Sequence, residues 1–304
     1  SQLYFDSING EEFYDLMRNM NFGFIVQNPF SKFSRIEAGV SNNYLERKEE
    51  RTNIITLKEY SILKESYNII NYNIKYVWDN TRQLSGNRTF LEYAVAPNIN
   101  NNDFMYKKVS LDSRQYFKIS YKSQTVLATR LFVGSSFGRD ARIFAIGGST
   151  YNTFFHGDEE LLNPVYRSNI MNGTEYQYLI MNNFQFPIRG YNIGQKFGNK
   201  TMILNLELRL PFLIYYFPAV KYLGQLFGVF FIDAGVAWND KFPEFSNRDN
   251  WDLLDNEGWI MSYGIGPRFN FFGMPWKLDY AWQYNPYKGT ISSRKWYVSV
   301  GFDF

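Results

Sequence analysis

The sequence predicts an all-β protein, a transmembrane antiparallel β-barrel. The main sign is a recurring alternation of apolar and polar residues, in stretches of about the 9 to 11 residues with which a tilted strand crosses a membrane. Aromatic residues make up 20% of the 304 residues, which suits the aromatic girdles at the two edges of such a barrel. Transmembrane helices are not predicted, because the mean hydropathy is -0.36 and no run of about 18 apolar residues occurs.

The strictest alternation stands at the end of the chain. One face of the predicted last strand carries only large apolar side chains, which are Trp296, Val298, Val300, Phe302 and Phe304. The intervening positions, which include Lys295 and Ser299, form a more polar face. A strand with such a hydrophobic face needs a neighbour to pair with, so we predict the closing strand of a membrane barrel.

The other strands are predicted from the same pattern. Leucines at every second position of residues 202–210 oppose polar side chains such as Glu207, which excludes a strand buried on both faces. In residues 228–238, Asp233 falls on the polar face. About twelve strands are predicted from residue 21 onward. The clearest stretches are 22–28, 33–44, 70–78, 89–97, the residues near 117–121, 202–210, 228–238, 263–270, 276–283 and 296–304.

One long interval interrupts this pattern. Residues 151–186 show no sustained alternation, and we interpret them as a large loop insertion rather than a second domain. Residues 1–304 are therefore predicted to form one barrel domain, with short turns on one side of the membrane and longer loops on the other.

Composition excludes several functions. The net charge of +3 is spread along the chain without a basic block, so nucleic-acid binding is not predicted. The chain has no cysteine and a single histidine, His156, which argues against a metal site and against a Ser-His-Asp triad. We therefore predict neither an enzyme nor a bound cofactor.

One short motif carries a more specific signal. The residues Ile188, Arg189, Gly190 and Tyr191 form a hydrophobic-Arg-Gly-aromatic sequence between the long interval and the leucine-faced strand. Related segments accompany it in a fixed order: residues 144–148 with paired glycines, 205–211, 230–235 with Asp233 and Gly235, 264–268, 279–281 and the terminal phenylalanine. In this combination, which covers about residues 140–304, the chain resembles the outer-membrane protein-85 superfamily, the bacterial surface antigen barrels.

The resemblance implies a site. In the family, the arginine motif lies on the sixth extracellular loop, which folds back into the barrel and pairs with an aspartate of a wall strand. Arg189 is therefore expected to contact Asp233, with Glu207 as a competing partner on the adjacent strand. Burial of a permanently charged guanidinium requires such a carboxylate or a wet lumen. Gly190 permits backbone conformations that a side chain hinders, and Tyr191 is expected to pack against the wall.

The resemblance also implies a fold and a role. The family barrel has sixteen strands, so the twelve predicted here correspond to about the fifth to the sixteenth, and we expect this chain to lack the first strands and any N-terminal periplasmic module. Implied activities are insertion of outer-membrane proteins and polypeptide transport across the bacterial outer membrane. The expected partners are lipid, lipopolysaccharide, unfolded outer-membrane proteins and accessory envelope proteins. A structural barrel that anchors a larger envelope complex, or a porin or receptor barrel, remains the alternative.

Overall fold

The computed structural model describes residues 2–4, 11–53, 58–82, 85–99, 102–120, 124–148, 153–156, 187–192, 194–211, 226–271 and 274–300. Nearly all of these residues form antiparallel β-structure, as predicted. None of them forms a helix long and apolar enough to cross a membrane.

Fifteen strands are found in the described ranges. Their bounds are β1 Gln2–Tyr4, β2 Glu11–Pro29, β3 Ser34–Asn53, β4 Lys58–Asp79, β5 Gly86–Ala96, β6 Tyr106–Lys118, β7 Val126–Phe137, β8 Phe144–Ile146, β9 Thr153–His156, β10 Lys196–Gly198, β11 Lys200–Leu210, β12 Phe227–Trp238, β13 Gly258–Phe271, β14 Met274–Asn285 and β15 Gly289–Val300. A short 3-10 helix, Arg248–Trp251, lies between β12 and β13.

Thirteen of these strands form one antiparallel sheet, which is the barrel wall. Strands β1 to β7 follow each other in order, then β11 to β15, and β9 pairs with the far edge of β15. Each hairpin connection joins neighbours, so the wall is an up-and-down meander. Strand β7 lies directly beside β11. The segment that connects them, here called the β7–β11 excursion, contains β8 and β10 outside this sheet and β9 at its far edge.

The two faces of the wall differ as the alternation predicts. On β12 the side chains of Phe230 and Ile232 are 54% and 41% exposed on the outer face, whereas Phe231 and Asp233 are buried on the inner face. Strand β11 behaves in the same way, with Leu204 exposed outward and its polar partners buried inward. The outer face is the one that suits lipid, and the inner face lines the lumen.

Three strands are longer than the sequence pattern suggests. Strands β2, β3 and β4 have 19, 20 and 22 residues, about twice what a membrane crossing needs. The pairing of β5 with β4 begins only at Tyr72, so residues 58–71 of β4 continue beyond the end of β5. This extension lies on the side of the membrane that also carries the excursion between β7 and β11.

The connections on the opposite side are mostly short. Residues 30–33, 80–85, 119–125 and 272–273 join consecutive strands there, as predicted. The connection 211–226 is longer, and only its ends belong to the described ranges. We refer below to the side with the β7–β11 excursion as the loop side.

Two segments differ from their predicted places. Residues 144–148 resemble a family strand that ends in paired glycines, and their first three residues form the short strand β8, which pairs with β10 in a separate two-stranded sheet. Within the interval predicted as a loop, β9 pairs with β15 through three residues, Tyr297, Val298 and Ser299. Residues 157–186 lie outside the described part of the chain, so the loop insertion and the domain boundaries remain predictions.

Candidate functional site

The arginine motif lies inside the wall rather than outside it. Ile188 forms a bridge with Gly148 next to the β8–β10 sheet, and the chain then turns at Gly190, whose φ is 93°. A residue with a side chain rarely adopts this φ, so glycine suits the turn. Ile188, Arg189, Gly190 and Tyr191 are all buried against the inner face.

Arg189 contacts Asp233 as the resemblance implies. The guanidinium donates from Nε to Asp233 Oδ2 at 2.7 Å and from Nη2 to Oδ1 at 2.9 Å. The backbone N–H of Arg189 donates to the same Oδ2 at 3.2 Å. This forked geometry fixes both the position and the orientation of the side chain, which a lysine could not reproduce.

Further charged groups complete an ion cluster around Arg189. Its Nη1 donates to Glu207 Oε1 at 2.9 Å, so the competing partner and Asp233 bind the same guanidinium together. Asp279 Oδ2 lies 3.5 Å from the same Nη1. The carboxylates also bind arginines of the wall: Arg209 donates to Glu207, and Arg268 lies 2.7 Å from Asp279 Oδ1.

The cluster is balanced in formal charge. Three arginines, Arg189, Arg209 and Arg268, face three carboxylates, Glu207, Asp233 and Asp279, on the loop and on β11 to β14. The Arg189 guanidinium also lies 3.5 Å above the ring of Phe231, which adds a cation–π contact. Since buried ions need partners, removal of the buried Arg189 guanidinium leaves the Asp233 carboxylate without its ion pair.

Apolar packing fixes the residue before the arginine. Ile188 packs with Ile146, Phe144, Tyr191 and Ile203 in a buried cluster on the inner face. Gly235 of β12 lies below it, and a Cβ there would be 2.2 Å from Ile188 Cδ1. The glycine of the predicted strand motif therefore makes room for the loop side chain.

The turn itself is held by hydrogen bonds from three strands. Gly190 N–H donates to the Tyr297 hydroxyl at 2.9 Å, and Gln283 Nε2 donates to the Gly190 carbonyl at 2.7 Å. The Tyr191 hydroxyl donates to the Met261 carbonyl at 2.7 Å. Strands β13, β14 and β15 thus all form hydrogen bonds with a turn of two residues.

The sequence did not single out several of these residues. Tyr297, Gln283, Asn205, Asp279 and Arg268 all contact the motif or its carboxylates. One signal was the parity of alternation, which places each of them on the inner face. Asn205, Arg268 and Asp279 also lie in segments that carry the family resemblance. Neither signal shows how far the loop reaches into the lumen, so neither could select them.

The apolar residues predicted for the closing strand lie away from the arginine motif, on the outer face. Trp296 is 40% exposed on the outer face, and Val298 and Val300 lie on the same face and are partly buried. Phe302 and Phe304 lie outside the described residues. The inner face of the same strand carries Tyr297 and therefore meets the loop.

A second attachment joins the loop to the connection between β12 and β13. Lys196 of β10 is buried and donates through Nζ to the backbone carbonyls of Asp252, Asp255 at 2.5 Å and Glu257 at 2.8 Å. Burial lowers the pKa of Lys196 to about 8, against an opposing effect of the three neighbouring carboxylates. At pH 7 the ammonium is therefore mostly charged, and it supplies all three of its donors.

Replacing Lys196 with methionine is expected to loosen residues 252–257 and leave the barrel wall intact. The substitution keeps the aliphatic stem and removes the donors of three carbonyls, a loss of about 2 kcal/mol, which corresponds to about 30-fold faster local amide exchange. Hydrogen exchange of the connection, followed by mass spectrometry, measures this. Lys241→Met, at an exposed lysine of the same connection, is the control, and equal exchange in both variants would contradict the prediction.

Within the described residues, no group of three or more histidine, aspartate and glutamate side chains is placed to hold a metal ion. The carboxylates that come together around Arg189 are bound to arginines. The contacts described above attach the loop to the wall through ion pairs and hydrogen bonds.

A membrane-spanning wall of antiparallel strands, with an arginine-bearing loop fixed to an inner carboxylate, defines a class of outer-membrane barrels whose lumen holds one of their own loops. The family model of the Omp85 superfamily domain matches residues 4–304. The chain belongs to the Omp85 superfamily, and this membership indicates a bacterial outer-membrane β-barrel of the assembly and translocation type.

Solved structures with the same fold include BamA from Haemophilus ducreyi lacking POTRA domains 1-3. It is 16% identical, with a TM-score of 0.53 over 96% of this chain and 55% of that chain. CdiB from Acinetobacter baumannii is 9% identical, with a TM-score of 0.48 over 95% of this chain and 42% of that chain. The chain thus spans about half the length of these structures. No curated protein sequence matches it.

Proposed function

We propose that this chain forms the barrel of a factor that inserts proteins into the outer membrane or moves polypeptide across it. The observation that carries the proposal is the edge of β15. Only Tyr297, Val298 and Ser299 of its 12 residues are described as pairing with β9, whereas β14 pairs with β15 along most of its length. A strand edge held by so short a pairing can accept an incoming strand by β-augmentation.

The contents of the lumen support this proposal over a porin. The arginine motif is fixed to β11 and β12 by ion pairs and to β13, β14 and β15 by hydrogen bonds. A loop held in this way occupies space that a permanently open pore leaves to water. The work is done by strand pairing and loop position, so the proposed activity is not enzymatic and uses no cofactor.

The partners follow from the two faces of the wall. The outer face, with exposed Trp296 and Phe230, would contact lipid and lipopolysaccharide. The edge of β15 would contact an unfolded outer-membrane protein through backbone hydrogen bonds. Accessory envelope proteins are further proposed partners.

The proposal is tested by closing the edge of β15 reversibly. Because the chain has no cysteine, a pair introduced at Phe155 and Val298, which are opposed in the β9–β15 register, can be oxidised or reduced at will. We expect the full-length protein, in vesicles of outer-membrane lipid, to accelerate folding of a urea-unfolded eight-stranded barrel protein. Oxidation of the pair should remove this acceleration, and reduction should restore it.

A matched pair controls for the disulfide itself. Leu278 and Val298 are opposed across β14 and β15, which are already paired along their length, so oxidation there should leave the activity unchanged. Transport is distinguished from insertion by adding an unfolded polypeptide outside the same vesicles. A polypeptide that is transported into them becomes protected from added protease. Client folding no faster than in empty vesicles, with no transport, would indicate a structural barrel. A large, stable conductance that is insensitive to Arg189→Ala would indicate a porin.

A further inference from the structure

The closing strand is attached to the arginine loop through its inner face. The Tyr297 hydroxyl accepts a hydrogen bond from Gly190 N–H at 2.9 Å and donates one to the Tyr191 carbonyl at 3.2 Å. Lys295, the preceding inner residue of β15, donates through Nζ to Asn192 Oδ1. Two successive inner residues of the closing strand therefore hold three successive residues of the loop.

The same loop segment is fixed at its other end to strands far from β15 in the wall. Arg189 is bound to Asp233 of β12 and to Glu207 of β11, whereas Gly190 is bound to β15. One peptide bond separates these two attachments, although β12 and β15 are separated in the sheet by β13 and β14. A displacement of Arg189 from its carboxylates cannot leave the contact between Gly190 and Tyr297 unchanged.

We propose that Tyr297 is a positioning residue that couples docking of the arginine loop to the position of the closing strand. While Arg189 occupies its ion cluster, the loop holds the inner face of β15. When Arg189 leaves, the Tyr297 hydroxyl loses both of its loop partners and β15 is freed on that face. The biological role of this coupling rests on the proposed function, because the coupling would regulate the edge of β15 at which a client strand pairs.

The hydroxyl, rather than the ring, carries the coupling. The Tyr297 ring packs with Val229, Phe231 and Ala281 on the inner face, and phenylalanine would keep this packing. Tyr297→Phe removes the two hydrogen bonds of the hydroxyl to the loop and keeps the ring. It leaves the buried Gly190 N–H without this acceptor, which is the costly half of a broken hydrogen bond.

The test measures how accessible the inner face of β15 is to water. In the full-length protein in lipid vesicles, Ser299→Cys places a thiol on the inner face next to Tyr297, at a position that is 4% exposed. We expect Tyr297→Phe to raise its rate of modification by a water-soluble maleimide about tenfold, the factor for one unsatisfied buried donor. Tyr263→Phe is the matched control, because it removes an exposed hydroxyl bond between β13 and Thr290 of β15, and it should leave the rate unchanged.

Coupling is tested by combining variants. Arg189→Ala should raise the labelling of Ser299→Cys as much as Tyr297→Phe does, and the double variant should add little, because both break the same connection. Thermal unfolding of the barrel on gels should be unchanged by Tyr297→Phe, which separates the coupling from general loosening. If Arg189→Ala releases the loop and labelling at 299 stays at the parent rate, the coupling does not exist.

A second variant keeps the test decisive if Tyr297→Phe folds poorly. Asn192→Ala removes the bond from Lys295 without altering β15, and about threefold faster labelling is expected; an unchanged rate overturns the proposal. No client is present in these measurements. A failure here removes the coupling and leaves insertion or transport intact, whereas absence of client activity removes the proposed function and leaves the labelling result standing.

Discussion

Replacing Arg189 with alanine is expected to release the loop from the lumen. The substitution removes three hydrogen bonds from the guanidinium, two to Asp233 and one to Glu207. If the loop stayed in place, the uncompensated buried carboxylates would cost about 3–5 kcal/mol. Withdrawal of the loop lets lumen water reach these carboxylates, so it is the less costly outcome. The wall strands keep their own hydrogen bonds and should remain folded.

The release is measured with a thiol on the loop. Ile188 is fully buried, so Ile188→Cys should be protected from a water-soluble maleimide while the loop is docked. We expect Arg189→Ala to raise its labelling at least about 100-fold, the lower end of the range set by the lost ion pairs. Arg189→Lys should give an intermediate rate, because an ammonium cannot bind Asp233 through a fork.

Two further variants separate the role of Arg189 from the ion cluster in general. Arg209 also pairs with Glu207 but belongs to the wall and is more exposed, so Arg209→Ala should change loop labelling little. In the double variant Arg189→Ala with Asp233→Ala, the buried carboxylate is gone as well, and the combined effect should be smaller than the sum. If the thiol is as well protected in Arg189→Ala as in the parent, Arg189 does not hold the loop in the lumen.

The inner position of the charged wall residues was predictable, because successive side chains of a strand point to opposite faces. Alternation with a period of two assigns Glu207 and Asp233 to one face once the leucines and phenylalanines are assigned to the other. A buried guanidinium must then find a carboxylate. The choice of Asp233 over Glu207 came from the family resemblance, and the structure places Arg189 in contact with both.

The attachment of the loop to the closing strand was not predictable in this way. Tyr297 was assigned to the polar face of the last strand, but its contact with Gly190 depends on how deeply the loop enters the lumen. The contacts of Gln283 with Gly190 and of Asn192 with Lys295 depend on the same depth of the loop in the lumen. Alternation within each strand contains no information on the relative height of residues on different strands, because that height follows from register and shear.

Strand length was missed for a different reason. The ends of β3 and β4 on the loop side, such as residues 44–53, carry many charged residues and little alternation. They are nevertheless paired along their length through backbone hydrogen bonds, which do not require an apolar face. Where charged residues occupy both faces of a strand, periodicity fails as a strand signal, and the prediction stops at the membrane boundary.

Replacing Gly235 with valine is expected to displace the loop by steric exclusion. A Cβ at this position would lie 2.2 Å from Ile188 Cδ1 and 3.2 Å from Ile146 Cδ1. Both isoleucines are fully buried in one cluster, so neither can move without repacking its neighbours. Valine suits a β-strand backbone, and the effect therefore comes from overpacking, which costs about 1–3 kcal/mol. Amide exchange of residues 188–192 should become about tenfold faster or more.

A second substitution distinguishes exclusion from damage to the strand. Ile188→Ala removes the atoms that the valine would strike, so the double variant should exchange more slowly than Gly235→Val alone. Ala234→Val adds similar bulk to the neighbouring position of β12, which is on the outer face and only partly buried, and it should leave loop exchange unchanged. If the double variant exchanges as fast as the single one, Gly235 acts through the backbone of β12 and not through the space that it leaves for Ile188.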